Sequence, residues 1–101
     1  MLEKEIVTAI IRYLRSLPRC FCWKQHGGQF GTAGIPDIIV CLNGRFIAFE
    51  VKTPTGKLTK LQESVLRKIN AANGRAYKVT SLQEVKQIIE EVFSDDHNTV
   101  Q

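Results

Sequence analysis

Three residues near the middle of the chain have the types and spacing for phosphoryl chemistry: Asp37, Glu50 and Lys52. Asp37 follows Pro36 at the mouth of an apolar run, Ile38-Ile39-Val40-Cys41, whose β-branched content marks a buried strand. Asn43-Gly44 comes next, a strong hairpin signal, and Arg45 to Lys52 is the return strand. A turn at Asn43-Gly44 pairs residues whose numbers sum to about 87, which sets Asp37 across from position 50. The two-residue period of a strand sends Ile47, Phe49 and Val51 to one face and Phe46, Ala48, Glu50 and Lys52 to the other. Asp37 and Glu50 therefore meet at one end of a sheet, with Lys52 one step beyond.

Two carboxylates so placed repel, and burial makes each charge costlier. A divalent cation resolves both problems, and hard oxygen ligands suit Mg²⁺ or Mn²⁺. Such an ion polarises a phosphoryl oxygen and acidifies water. Lys52 can then orient the attacking water, take its proton or stabilise charge developing on phosphorus. A bare Glu-x-Lys would be no more than a surface ion pair of little energetic value. Here an apolar strand carries it, and a hairpin brings an aspartate to meet it.

The elements that position these residues follow from periodicity. Residues 2–16 read as a helix, with Ile6, Val7, Ile10, Ile11 and Leu14 in an apolar stripe, and Pro18 prevents its continuation. Cys20 to Gln25 is a candidate strand, and His26 to Gly34, with four glycines, is a loop. After the hairpin, Thr53-Pro54-Thr55-Gly56 breaks the strand. Thr59 to about Asn73 forms a second helix, with Leu58, Leu61, Val65, Leu66 and Ile69 on its apolar side. Ala76 to Thr80 is a short strand. Ser81-Leu82-Gln83-Glu84 is a capping box for a last helix that buries Val85, Ile88, Ile89, Val92 and Phe93. The expected fold is α/β, in the order α-β-β-β-α-β-α, with a mixed central sheet flanked by helices. One domain spans 1–93, and 94–101 is a polar tail expected to fray.

A chain of 101 residues leaves room for a single domain. The net charge of +4 is a weak pointer toward polyanions. No apolar run approaches the roughly 18 residues of a membrane span, and Met1-Leu2-Glu3-Lys4-Glu5 does not read as a secretory signal, so no membrane association and a cytoplasmic setting are expected. Cys20, Cys22 and Cys41 lack the spacing of common zinc modules and are expected to be buried thiols. Gly56-Lys57 is not a phosphate-binding P-loop, because Leu58 stands where Ser or Thr is needed.

Gly34-Ile35-Pro36-Asp37, Phe49-Glu50-Val51-Lys52 and Gly56-Lys57-Leu58-Thr59-Lys60-Leu61-Gln62 together resemble the VRR-NUC branch of the PD-(D/E)XK nuclease superfamily, from Glu3 to Phe93. The resemblance implies a restriction-endonuclease-like fold and Asp37 and Glu50 as metal ligands. It also implies the Val51 carbonyl as a third ligand, Lys52 as the catalytic lysine and Gln62 beside the active site. Gln62 has independent support, since it precedes Val65, Leu66 and Ile69 by three, four and seven and so points inward with the apolar stripe. Family members often supply one acid from the first helix. Glu3 precedes Ile6, Val7, Ile10 and Leu14 at helical spacings, whereas Glu5 points away with Arg12, so Glu3 is the choice; the alternative is a solvated first-turn acid favoured by the helix dipole.

The loop from His26 to Gly34 is expected to face substrate, with Lys24, Gln25 and His26 near the metal; Lys57 and Lys60 are candidates to hold phosphates. The expectation is a Mg²⁺- or Mn²⁺-dependent endodeoxyribonuclease, resembling Holliday-junction resolvases that act on branched DNA as homodimers. A flap, nicking or restriction-like nuclease, an RNA-processing nuclease and a non-catalytic nucleic-acid-binding subunit are the alternatives.

Overall fold

A computed structural model describes residues 1–26 and 33–99, with side chains through Asp95. The element order is the expected one: α1 (Glu3–Arg15), β1 (Cys20–Lys24), β2 (Ile38–Leu42), β3 (Arg45–Val51), α2 (Lys60–Ala71), β4 (Arg75–Val79) and α3 (Leu82–Thr99). The sheet runs β1-β2-β3-β4. The first three strands are antiparallel, and β4 pairs parallel to β3, as its helical crossover through α2 requires.

Strand alternation divides the molecule into three layers. On one face Ile38, Val40, Leu42, Ile47, Phe49, Val51 and Val79 pack against Ile6, Val7, Ile10 and Leu14 of α1 and Val85, Ile89 and Val92 of α3. Burying each of the larger side chains contributes on the order of 1.5–3 kcal/mol. On the opposite face Ile39, Ala48 and Ala76 pack against Leu66 of α2. The alanines are small, which lets α2 settle close to the sheet.

Local signals start the helices. The Glu5 carboxylate accepts the Leu2 N–H at 2.7 Å at the head of α1. Thr59 caps α2: its hydroxyl accepts the Gln62 N–H at 3.1 Å, while Gln62 Oε1 accepts the Thr59 N–H at 2.9 Å. The Ser81 hydroxyl accepts the Glu84 N–H at 3.2 Å, but the Glu84 carboxylate returns to the Thr80 N–H, at 2.8 Å, one residue beyond the expected box. The hairpin turn has left-handed φ values at both Asn43 (50°) and Gly44 (82°), matching the right-handed twist of its strands.

Three expectations need correction. The last helix does not end near Phe93 but continues to Thr99, within the segment expected to fray. An ion pair at 2.7 Å between Asp95 and Arg75 ties the added turns to β4. Among the three thiols only Cys22 is buried; Cys20 is half-buried and Cys41 exposed, because Cys41 lies on a part of the sheet that α2 does not cover. β2 begins at Ile38 rather than Pro36, although the Asp37 carbonyl still accepts the Gln25 N–H at 2.7 Å.

Gly34 explains the glycine ahead of the Pro-Asp. Its φ is +81°, and a Cβ there would stand 2.8 Å from Leu61 Cγ and 3.1 Å from Val65 Cγ2, both on α2. Gly34→Ala is expected to destabilise the fold by about 1–3 kcal/mol through overpacking and backbone strain. A thermal melt would register this as a lower Tm; an unchanged Tm would contradict the close approach.

Candidate active site

The register of the hairpin places the carboxylates. Ile38 pairs with Phe49 and Leu42 with Arg45, so Asp37 stands at the next position, opposite Glu50. Asp37 bridges the strands directly, its Oδ2 accepting the Val51 N–H at 2.7 Å. A strand residue directs its N–H and C=O toward the same neighbour. The Val51 carbonyl is therefore aimed toward the Asp37 side.

Glu50 is 3% exposed and is the only charged side chain so buried among the described residues. Two groups touch its Oε2: the Gln62 side-chain amide donates at 3.4 Å, and Lys52 Nζ stands 3.9 Å away. Gln62 is oriented from behind, since its Oε1 is held by the Thr59 N–H and its NH₂ is thereby turned to Glu50. One residue thus caps α2 and binds the site.

Burial is the largest influence on Glu50 and pushes its carboxyl up to about 8. The hydrogen bond and charge of neighbouring Asp37 push the same way, Lys52 opposes, and the Glu3 charge adds the smallest push. Without a cation, the Glu50 carboxyl keeps its proton at neutral pH. Lys52 alone does not offset two converging carboxylates in a buried setting.

The donor set fits a hard divalent cation: two carboxylates and a strand carbonyl, all oxygen. Among the described residues no three His, Cys, Asp or Glu side chains gather into a metal-binding group. The Val51 carbonyl, aimed toward Asp37, has the chemistry of a further oxygen donor for such an ion. The buried Cys22 lies on the other face, in the core with α1.

The remaining candidates divide. Glu3 is exposed on the first turn of α1, where its charge reaches Glu50, while the Glu5 carboxylate is engaged by the Leu2 N–H. Lys57 and Lys60 are exposed before and at the start of α2, the helix whose third residue contacts Glu50. His26 is exposed beyond β1. Lys24 is not brought to the carboxylates. It pairs with Ile38 and shares the face of α1, where it lines a groove with Arg12 and Arg15. Residues 27–32 of the expected substrate loop lie outside the described residues.

One residue near the site was not singled out from the sequence. Lys78 pairs with Glu50 in the β3–β4 register and stands exposed on the same face. Gln25, beside Asp37, completes a polar row of Gln25, Asp37, Glu50 and Lys78 across the sheet. Lys78 depends on a parallel register across a helix, which no local turn encodes.

A family model for the VRR-NUC domain matches residues 3–83. A solved structure described as a VRR_NUC domain superposes with a TM-score of 0.74 at 22% identity, over 87% of this chain and 94% of that one. A second, described as a VRR_NUC domain protein, gives a TM-score of 0.75 at 17% identity, over 89% of this chain and 86% of that one. A comparison with curated proteins gives no match. Among the described residues no helix is long and apolar enough to cross a membrane.

The raised Glu50 carboxyl sets a pH dependence with a definite sign. Its ordinary pKa is 4.5 and its folded value about 8, so between them the folded state binds the extra proton. Stability from this group is complete below 4.5 and is lost as pH rises through 8. In metal-free buffer, the Tm of wild type is expected to fall between pH 5 and 8.5 relative to Glu50→Gln, which has no carboxyl to ionise. Parallel Tm profiles for the two proteins would contradict this.

Proposed function

The chain belongs to the VRR-NUC domain family, and with its nuclease-type fold as the starting point we propose that it is a Mg²⁺- or Mn²⁺-dependent DNA endonuclease. The observation that carries the reading is the buried Glu50 beside Asp37, with Lys52 Nζ at 3.9 Å. No structural need accounts for a carboxylate at that depth, since burial disfavours its charged form.

Asp37 and Glu50, with the Val51 carbonyl, hold the cation. When bound, it supplies Lewis-acid polarisation of the phosphate and acidification of water. The reaction is hydrolysis: a water oxygen attacks phosphorus, the bond to the sugar 3′ oxygen breaks, and the products carry 5′-phosphate and 3′-hydroxyl ends. Lys52 lies partly exposed at the edge of the buried carboxylate, where its ammonium can orient the water and stabilise charge on the phosphoryl oxygens. Gln62 fixes the Glu50 carboxylate by donating to Oε2. Glu3 adds negative charge that strengthens the pull on a cation. Lys57 and Lys60, exposed before and at the start of α2, would hold backbone phosphates of the substrate strand.

The finer reading is a junction-cleaving enzyme acting as a homodimer. Two copies would supply two active sites for paired cuts on a four-way junction. A second copy would also widen the cationic surface offered to DNA.

Purified protein with Mg²⁺ or Mn²⁺ is expected to cut a mobile four-way junction symmetrically. Lys52→Ala should lower the rate by roughly 100- to 10,000-fold while junction binding persists. Trimming of one strand only would favour a flap or nicking enzyme. Binding with no cutting of any DNA form by wild type would contradict the nuclease reading and favour a binding subunit.

A further inference from the structure

Helix α2 leaves the β1 end of the sheet face that holds the carboxylates open. It packs over Ile39, Ala48 and Ala76, on β2, β3 and β4. The part formed by β1 carries two exposed aromatic rings, Phe21 (70% exposed) and Trp23 (42%). Trp23 pairs with Ile39, and Phe21 with exposed Cys41, so both rings share the face of Asp37. Their centroids are 5.8 Å apart, with the planes tilted by 48°. The Trp23 indole N–H is tied at 3.1 Å to Gln25 Oε1. The backbone N–H of the same glutamine bonds the Asp37 carbonyl. Trp23 is therefore tied to the polar row, about 7 Å along the strand from it, and Phe21 lies about 13 Å along the strand.

Resting on the nuclease reading, we propose that Phe21 and Trp23 form a stacking platform for unpaired bases of the substrate strand next to the scissile phosphate. Charge decides between this occupant and a second copy of the chain. On the carboxylate face and around the first turn of α2 stand Lys52, Lys57, Lys60 and Lys78, against Glu63 and the two candidate metal ligands Asp37 and Glu50. Apart from the two candidate ligands this surface carries an excess of positive charge, which attracts a phosphate backbone and disfavours a like-charged second copy on this face. Aromatic rings within a cationic surface are the means by which proteins hold single-stranded nucleic acid without sequence preference, because every base has a stacking face. The platform therefore selects DNA with unpaired nucleotides over continuous duplex.

The chain has one tryptophan, so the platform carries its own probe. Without divalent metal, a short thymidine oligonucleotide should quench Trp23 fluorescence, and a blunt duplex should quench it much less. Labelled-oligonucleotide anisotropy should show Trp23→Ala weakening single-strand binding roughly 5- to 100-fold. Duplex binding should stay within about twofold, and Trp23→Phe should restore most of the loss. Equal loss on both DNAs, or no quenching, would overturn the proposal. So would a Phe21→Ala/Trp23→Ala protein that changes only its oligomeric state by sedimentation, which would assign the face to a second copy. The two readings fail separately. Quenching by a protein that cuts no DNA with Mg²⁺ or Mn²⁺ would sink the nuclease and keep the platform; cutting without quenching would do the reverse.

Discussion

A carboxylate does not stay ionised in a protein interior unless something positive stays with it, and Glu50 is 3% exposed. That constraint organises the surrounding structure. Asp37 makes the situation worse by adding a second acid, and Lys52 offsets it only in part. Gln62 donates one hydrogen bond from a helix whose first turn depends on the same side chain. Such an arrangement opposes the stability of the metal-free protein and is relieved by a cation.

The fold serves this pair by giving the two faces of one sheet different tasks. Odd-numbered positions of β3 enter the larger core with α1 and α3. Even-numbered positions meet α2, then end in Glu50. Beyond α2 the same sheet face continues as the β1 surface that carries Phe21 and Trp23. A polymer can lie along such a surface, with the aromatic pair on β1 and the cationic start of α2 on either side of the buried acids.

What could be read from the sequence was what short-range geometry encodes. Asn43-Gly44 permits one tight turn, and the turn fixes which residues of β2 and β3 oppose each other; Asp37 and Glu50 followed from that. Gln62 followed from helical spacing. The side of Lys24 did not, because the β1–β2 register is joined through a long loop rather than a turn, and a one-residue difference in parity sends a side chain to the other face. Lys78 was hidden for a related reason, as its partner is set by a parallel crossover. The extension of α3 rests on an ion pair between residues twenty apart, Arg75 and Asp95, which polar composition alone reads as a frayed end.

Asp37 and Glu50 are proposed to share one cation. The most direct measurement is a crystal structure of the protein soaked with Mn²⁺, with anomalous scattering recorded to locate the ion. The expected result is a peak in contact with both carboxylates and the Val51 carbonyl. A peak that touches only one of the two acids, or no peak between them at saturating Mn²⁺, would contradict it.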